Sequence, residues 1–124
     1  MSLNHKNILI TGGTGSFGSK FIELVLKKYK PNKLVVFSRD EQKQYEMSQY
    51  ISEEKYPNIR YFIGDVRDKN RVDRACANID FIIHAAAMKH VTAAEYNPTE
   101  CIATNIYGAQ NIIDAAISNN VKKV

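Results

Sequence analysis

Short apolar runs alternate with longer segments of helical periodicity along the chain. Each run is four or five residues long, a length typical of strands rather than helices, and most are apolar on both faces. They predict strands at residues 7–11, 34–37, 59–63 and 80–84, and residues 121–124 predict the start of a fifth.

Helical spacing of apolar residues fills the gaps between the predicted strands. The first helix begins at a glycine cluster after the first strand and ends before Pro31. A polar segment at 40–54, anchored by Tyr45 and Ile51, and the segment 68–77 predict the second and third helices.

The last predicted helix is the longest. Asn97 caps it and Pro98 occupies its first turn, where the missing N–H costs nothing. The helix ends at Asn119 and Asn120. Steps of three and four residues predict one apolar face, formed by Ile102, Ile106, Ala109, Ile113 and Ala116.

Alternation of strand and helix predicts a parallel sheet with right-handed crossovers and helices on both faces. The fold class is therefore α/β: a Rossmann-like, doubly wound parallel sheet, truncated to about four and a half strands. Residues 1–124 form one incomplete domain, roughly half to two-thirds of a doubly wound domain.

Composition and charge narrow the class of protein. Of the 124 residues, 44% are hydrophobic and 24% charged, with a net charge of +4, values typical of a soluble globular domain. The basic residues form no arginine-rich stripe with aromatics, so we expect no nucleic-acid partner. No apolar run approaches the ~20 residues of a membrane helix and no secretory signal is visible, which predicts a cytoplasmic protein without a membrane partner.

The two cysteines, Cys76 and Cys101, lie in predicted helices, and no Cys-x-x-Cys motif is present. We therefore expect reduced packing residues, and neither a disulfide nor a metal site.

A glycine-rich segment, Thr11-Gly-Gly-Thr-Gly-Ser-Phe-Gly18, joins the first strand to the first helix. It satisfies the Gly-x-Gly-x-x-Gly motif at Gly13, Gly15 and Gly18. Glycine makes the turn, lets the backbone approach a pyrophosphate and lets helix and strand pack closely, while the helix N-terminus attracts phosphate. A glycine-rich turn without a ligand is the alternative, but the strand before and the helix after favour a dinucleotide.

The end of the second strand decides which dinucleotide is expected. NAD sites place Asp or Glu there to bind the ribose 2′-OH, whereas this chain has Ser38 and Arg39. A hydroxyl and a guanidinium can bind the 2′-phosphate of NADP, and Lys43 adds charge one turn later. Arg39 could instead be a solvated surface arginine, and Asp40, two residues late for the NAD role, could cap the next helix. We expect NADP.

Two further strand ends supply candidate contacts. Asp65 is a candidate for the adenine amine and Val66 for apolar contact with the ring, although Asp65 could instead cap the following helix. Small residues after His84 let the backbone pass close to the ribose and nicotinamide. His84 itself is expected to be packed and hydrogen-bonded rather than catalytic.

Several longer segments extend this pattern along the whole chain. They are Ser38-Arg-Asp-Glu-Gln-Lys43, Phe62-Ile-Gly-Asp-Val-Arg-Asp68, His84-Ala-Ala-Ala-Met-Lys-His-Val91, Ala94-Glu-Tyr-Asn-Pro98 and Thr104-Asn105. Together they resemble the extended short-chain dehydrogenase/reductase superfamily and, within it, the inverting UDP-N-acetylglucosamine 4,6-dehydratases of bacterial nucleotide-sugar pathways. Thr92 departs from the family's usual proline, which implies a local change in the loop.

The resemblance implies an NADP site and a UDP-sugar substrate. The implied NADP contacts are Gly12, Thr14, Gly15, Ser16, Phe17, Gly18, Ser38, Arg39, Asp40, Glu41, Gln42, Lys43, Asp65, Val66, Ala85, Ala86 and Thr104. Lys89 would face the sugar nucleotide, where an ammonium suits its negative charge; without the motif it would be a surface lysine. Asn105 resembles the superfamily's structural asparagine beneath the active site.

The implied reaction is that of a lyase that recycles the hydride of NADP. Sugar C4 is oxidised, water leaves from C6, and the hydride returns to C6 while C5 inverts. The family's catalytic Thr-Asp-Lys segment and its later x-x-x-Lys helix have no counterpart in these residues. Tyr29 and Lys33 match the Tyr-x-x-x-Lys spacing by chance, because Pro31 breaks the helix between them.

We therefore expect this chain to carry no catalytic residue, to be inactive on its own, and to represent the cofactor part of a homo-oligomeric enzyme. Bacterial surface polysaccharide or pseudaminic acid synthesis is the implied pathway. A sugar epimerase or reductase, and a non-enzymatic NADP-binding module, are the alternatives.

Overall fold

Strands and helices alternate along the part of the chain that the structure describes, residues 3–85 and 108–124. In this computed structural model the strands are β1 (Asn7–Thr11), β2 (Lys33–Ser38), β3 (Ile59–Ile63) and β4 (Phe81–His84). The helices are α1 (Ser16–Lys28), α2 (Glu41–Ser48), α3 (Lys69–Ala75) and α4 (Gly108–Ser118). The first four predicted strands are confirmed to within one residue at either end.

The strands form one parallel sheet in the order β3-β2-β1-β4. β1 lies in the centre, where Ile10 pairs with Val36 of β2 and Ile83 of β4. Beyond β4, Lys123 forms a single parallel bridge with Phe81, within the segment 121–124 that the sequence predicts to begin a fifth strand. The order is that of the first part of a Rossmann sheet, so the predicted α/β, doubly wound fold is confirmed.

Alternate residues of each strand contribute to two apolar cores, one on each face of the sheet. One core joins α1 and α2 to Ile8, Ile10, Leu34, Val36 and Ile59. The other joins α3 and α4 to Leu9, Val35, Phe37 and Ile82. Because helices cover both faces, the central strands are apolar at nearly every position.

The second helix is shorter than predicted and buries different residues. α2 ends at Ser48 rather than near residue 54, and Tyr45, predicted to be an anchor, is 62% exposed. Ile51, the other predicted anchor, is buried as predicted, in the turn that follows, and Gln44 and Met47 are buried as well. These three residues, spaced by three and four, form the inward face, and the glutamine among them concealed that face from the hydrophobic pattern.

The inward face of α4 also differs from the prediction. Ile112 is 1% exposed, whereas Ile113, predicted to face inward, is 48% exposed. Ala116 is buried as predicted. At the start of the helix, a Cβ on Gly108 would lie 2.6 Å from Cγ2 of Val66, so the backbone of α4 closely approaches the loop after β3.

Cys76 is a buried free thiol, as predicted, and burial raises its pKa to about 11.

Within residues 3–85 and 108–124 no cluster of His, Cys, Asp and Glu is arranged to hold a metal ion. The same part of the chain contains no helix with the length and apolar character to cross a bilayer. Cys101 and the predicted start of the last helix lie outside the described residues.

Candidate functional site

Four strands end side by side at the carboxyl edge of the sheet. Their last residues are Thr11, Ser38, Ile63 and His84. In open parallel sheets, ligands bind outside this edge. The described candidate residues of the glycine loop and of the strand ends therefore lie at one end of the fold.

The first loop turns sharply at Gly12, whose φ of 68° is unfavourable for residues with a side chain. Its N–H donates to the Phe37 carbonyl at 2.9 Å, and its carbonyl accepts the Gly15 N–H at 3.1 Å. Gly15 is the N-cap of α1 and, lacking a side chain, supplies no capping bond to the helix. The first N–H groups of α1 therefore suit an anionic group placed at this turn.

The three motif glycines differ in what the fold demands of them. A Cβ at Gly18 would lie 2.5 Å from the Gly12 carbonyl oxygen, and one at Gly13 would lie 2.6 Å from Cγ1 of Val36. At Gly15 the nearest atom would be 3.4 Å away, an ordinary contact. Packing within the chain thus requires glycine at positions 13 and 18. Gly15 is exposed, and packing does not require a glycine there, so its lack of a side chain leaves open space at the start of α1, the glycine cradle.

Ser38 is buried at the end of β2, where its hydroxyl is hydrogen-bonded to the side chain of Gln44. Nε2 of Gln44 donates to Ser38 Oγ at 2.8 Å and to the Phe62 carbonyl at 3.1 Å, so one amide joins α2 to β2 and β3. Because a carbonyl can only accept, the amide nitrogen faces these oxygens and the Ser38 hydroxyl accepts from it. The hydroxyl proton remains to be donated to another acceptor.

Arg39 follows Ser38, and 54% of its side chain is exposed. Asp40 is the N-cap of α2, and its carboxylate accepts the Lys43 N–H at 3.0 Å. The alternative in which Asp40 caps the next helix is therefore confirmed. The remaining candidates in this loop, Glu41, Gln42 and Lys43, are exposed in the first turn of α2.

Asp65 follows β3 and lies among basic groups. Its carboxylate accepts the backbone N–H of Arg67 at 2.9 Å and Nη2 of Arg67 at 2.8 Å, and lies 3.8 Å from Nη1 of Arg39. The side-chain bond from Arg67 is the largest cause holding the pKa of Asp65 below its usual value. Asp65 does not cap the following helix; Asp68 does, by accepting the Arg71 N–H at 3.2 Å.

Val66 is held from behind by α4. Its side chain is 4% exposed and packs in the core beside Gly108, and its carbonyl accepts Nδ2 of Asn111 at 2.9 Å. Contact of Val66 with an adenine ring stays a prediction.

His84 is packed and hydrogen-bonded, as predicted. Its Nδ1 lies 2.7 Å from Oγ1 of Thr11, and that same oxygen accepts the Ala85 N–H at 3.0 Å. Burial lowers the pKa of His84. The ends of β1 and β4 are thereby joined directly beneath the edge of the sheet.

The remaining candidates divide into those the structure places and those it does not. Thr14 lies in the glycine loop, and Phe17 is exposed on α1 with its ring stacked on Phe21, the centroids 6.2 Å apart. Ser16 begins α1. The candidates Ala86, Lys89 and Thr104, and the structural Asn105, lie outside the described residues.

Sequence reasoning missed Gln44 and Arg67. For Arg67 the chain offers one signal, the Asp-x-Arg spacing, since aspartate often accepts the N–H two residues ahead in a turn. Nothing in the apolar pattern singles out Gln44, because its importance arises from three elements that meet around its amide.

Comparison with known families agrees with this geometry. The family described as "Polysaccharide biosynthesis protein" matches residues 8–124. The chain belongs to this polysaccharide biosynthesis family. The resemblance to nucleotide-sugar dehydratases found in the sequence is confirmed by relatives of the chain.

Among the relatives of the chain are proteins with assigned activities, of two kinds. The polysaccharide biosynthesis chain is 62% identical over 120 residues to the UDP-N-acetylglucosamine 4,6-dehydratase (inverting) of Campylobacter jejuni, covering 97% of this chain and 35% of that protein. It is 46% identical over 122 residues to the UDP-glucose 4-epimerase of Rickettsia bellii, covering 96% and 35%. The chain thus spans 35% of the length of these relatives.

Many solved structures share the fold of this chain, and two of them illustrate the range of similarity. Pen from Bacillus thuringiensis superposes with a TM-score of 0.93 at 48% identity, covering all of this chain and 38% of that one. The dTDP-glucose 4,6-dehydratase DesIV of Streptomyces venezuelae, solved with NAD bound, gives a TM-score of 0.81 at 24% identity, covering 93% and 37%. The second likeness shows the fold alone.

Proposed function

We propose that this chain is the NADP-binding part of a UDP-N-acetylglucosamine 4,6-dehydratase that inverts C5. The observation that carries the proposal is the end of β2, where Ser38 and an exposed Arg39 lie beside the glycine cradle and the next carboxylate, Asp40, is committed to capping α2. The 62% identity to the Campylobacter jejuni dehydratase supports the reaction. The enzyme would be a cytoplasmic homo-oligomer that serves bacterial surface polysaccharide or pseudaminic acid synthesis.

The residues present fit the cofactor. The exposed Gly15 and the start of α1, which has no side-chain cap, suit a pyrophosphate. Because the Ser38 hydroxyl accepts a hydrogen bond from Gln44, its own proton can be donated to the 2′-phosphate. Arg39 adds a planar cation, which binds phosphate well. Neither Ser38 nor Arg39, the residues that end β2 and follow it, offers a carboxylate to a ribose 2′-OH without phosphate.

Each of these residues has a distinct task in the proposal. NADP, when bound, supplies the hydride carrier that the oxidation at sugar C4 requires. The loop from Gly12 to Gly18 binds and orients the pyrophosphate, Ser38 and Arg39 bind the 2′-phosphate, and Asp65 accepts the adenine amine. Ala85, Ala86 and Thr104 are further NADP contacts in this proposal, and Lys89 would bind the negatively charged sugar nucleotide.

Calorimetric titration of the chain with NADP and NAD tests the cofactor. We expect tighter binding of NADP, and Arg39→Ala should weaken NADP binding by about tenfold, the low end for a charged hydrogen bond, because half of the side chain is in water. NAD binding should change little. Arg74→Ala, which removes an exposed arginine from the last turn of α3, is the matched control. NAD binding equal to or tighter than NADP binding would refute the proposal.

Mass spectrometry of the products tests the reaction. The 124 residues contain no counterpart of the family's catalytic segments, so we expect them to bind NADP without removing water from UDP-N-acetylglucosamine. The full-length protein should release a 4-keto-6-deoxy sugar that is lighter by one water. An epimerase, the activity that the Rickettsia bellii relative favours, would instead return a sugar of unchanged mass.

A further inference from the structure

Three charged side chains meet where β2 and β3 end. Arg67 approaches the Asp65 carboxylate with two of its three side-chain nitrogens, Nη2 at 2.8 Å and Nε at 3.2 Å from Oδ2, and its backbone N–H donates to Oδ1 at 2.9 Å. Arg39 is the more distant cation, with Nη1 at 3.8 Å from Oδ2. Asp65 is therefore paired with Arg67 first and with Arg39 second.

The arrangement matters for a doubly charged phosphate. An ionised Asp65 without Arg67 would repel a 2′-phosphate at this edge and would also draw the Arg39 guanidinium into a closer pair. Arg67 counters both effects, because its guanidinium lies closer to the carboxylate than that of Arg39 and neutralises its charge. Asp65 then offsets less of the charge of Arg39.

We infer that Arg67 is a specificity-determining positioning residue, which makes the site selective for the 2′-phosphorylated dinucleotide by sequestering Asp65 from Arg39. The inference rests on the proposed NADP function and extends it to a residue that need not touch the cofactor. It predicts that the preference for NADP depends on Arg67 only while Asp65 carries its charge.

The ratio of the dissociation constants for NAD and NADP is the decisive measurement. Any contact of Asp65 with adenine is common to both ligands and cancels in the ratio. Arg67→Gln should reduce the preference for NADP about three- to fivefold, the range available to partly exposed ion pairs. Arg74→Gln, which removes the same charge from the exposed end of α3, should leave the ratio unchanged.

A double variant separates this route from direct contact. In Asp65→Asn the preference for NADP should be kept or increased, and adding Arg67→Gln to that variant should change the ratio no further. If the double variant instead loses the preference as Arg67→Gln does, Arg67 binds the phosphate itself and the inference is overturned. An unchanged ratio in Arg67→Gln alone overturns it as well.

Folding and the parent preference complete the test. Thermal denaturation checks that each variant folds. If Arg67→Gln does not fold, Arg67→Lys replaces it in the test. Lysine keeps the charge but not the two-pronged hydrogen bonding, so the NAD-to-NADP ratio of Arg67→Lys should lie between those of the parent and a chain without the charge. A parent chain that binds NAD as tightly as NADP refutes the proposed function. A parent that prefers NADP, with a ratio insensitive to Arg67, refutes only the role of Arg67.

Discussion

Within the glycine loop, neighbouring residues meet different constraints although all are glycine. The turn at Gly12 and the side chain of Val36 occupy the space that a Cβ on Gly18 or Gly13 would need. Gly15 meets no such obstacle and has a φ of −73°, which any residue adopts. The stability of the chain and its affinity for a phosphate should therefore respond to different glycines.

Substituting alanine at two of these positions should separate folding from binding. Gly15→Ala should leave the free energy of unfolding within about 0.5 kcal/mol of the parent and weaken NADP binding about tenfold, because the methyl group lies where the pyrophosphate approaches. Gly18→Ala should lose about 1–3 kcal/mol, since its Cβ overlaps the Gly12 carbonyl. Urea denaturation and NADP titration measure the two effects. If Gly15→Ala bound NADP as tightly as the parent, the proposal that the pyrophosphate approaches at Gly15 would be wrong.

The amide of Gln44 should matter for stability as well as for orienting Ser38. Gln44→Leu removes the amide that donates to the buried Ser38 hydroxyl and to the Phe62 carbonyl, which should cost about 1–3 kcal/mol of the free energy of unfolding. Gln49→Leu, at an exposed position just after α2, is the control and should change stability by less than about 0.5 kcal/mol. Equal losses in the two variants would show that the buried bonds contribute nothing.

At the scale of elements, the position of each strand was easier to predict than the orientation of each helix. Strands buried on both faces are apolar throughout, so their limits are visible without knowing which side faces which core. A helix shows its inward face only if the other faces are polar. On α4 the adjacent Ile112 and Ile113 are both apolar, and contact with α3 rather than periodicity selects Ile112 for burial.

That choice can be tested with two matched truncations. Ile112→Ala should lower the free energy of unfolding by about 2–5 kcal/mol, because it leaves a cavity between α4 and the sheet. Ile113→Ala removes the same atoms from a side chain that is 48% exposed and should cost less than about 1 kcal/mol. Chemical denaturation of both variants provides the comparison. A larger loss of stability in Ile113→Ala than in Ile112→Ala would instead favour the inward face predicted from the sequence, which contains Ile113.

For the molecule as a whole, the location of the site could be predicted and its internal contacts could not. Parallel strands bring their carboxyl ends to one edge, so the glycine loop, Ser38 and Asp65 had to lie together once the strands were recognised. The pairing of Asp65 with Arg67 and of Ser38 with Gln44 depends on side-chain directions across loops and elements, which spacing does not encode.

Unfolding of the whole chain should depend on pH through His84. Burial lowers the pKa of His84 below 6.5, so the unfolded chain binds the proton more readily than the folded one. The contribution of His84 to the free energy of unfolding should therefore be steady above pH 6.5 and decrease as the pH falls from 6.5 towards the folded-state pKa. The depressed pKa of Asp65 adds a second loss only below pH 3.8.

Urea denaturation between pH 7.5 and 5 measures the contribution of His84. His84→Gln should flatten the profile in this range, whatever its effect on stability at neutral pH. His5→Asn, at an exposed turn whose φ of 63° asparagine tolerates, should keep the slope of the parent. A slope that survives His84→Gln would assign the titration to another group.

The central place of β1 in the sheet has a consequence for biosynthesis. β1 is made before both of its neighbours, and the pairing partners at the ends of β1 and β4, Thr11 and His84, are 73 residues apart. At ribosomal speeds of roughly 5–20 residues per second, the last partner follows about 4–15 s after β1. During that interval β1 lacks its final partner, and its residues Ile8, Leu9 and Ile10 are fully buried in the folded protein. The first strand made is therefore the one that depends most on protection by chaperones while translation continues.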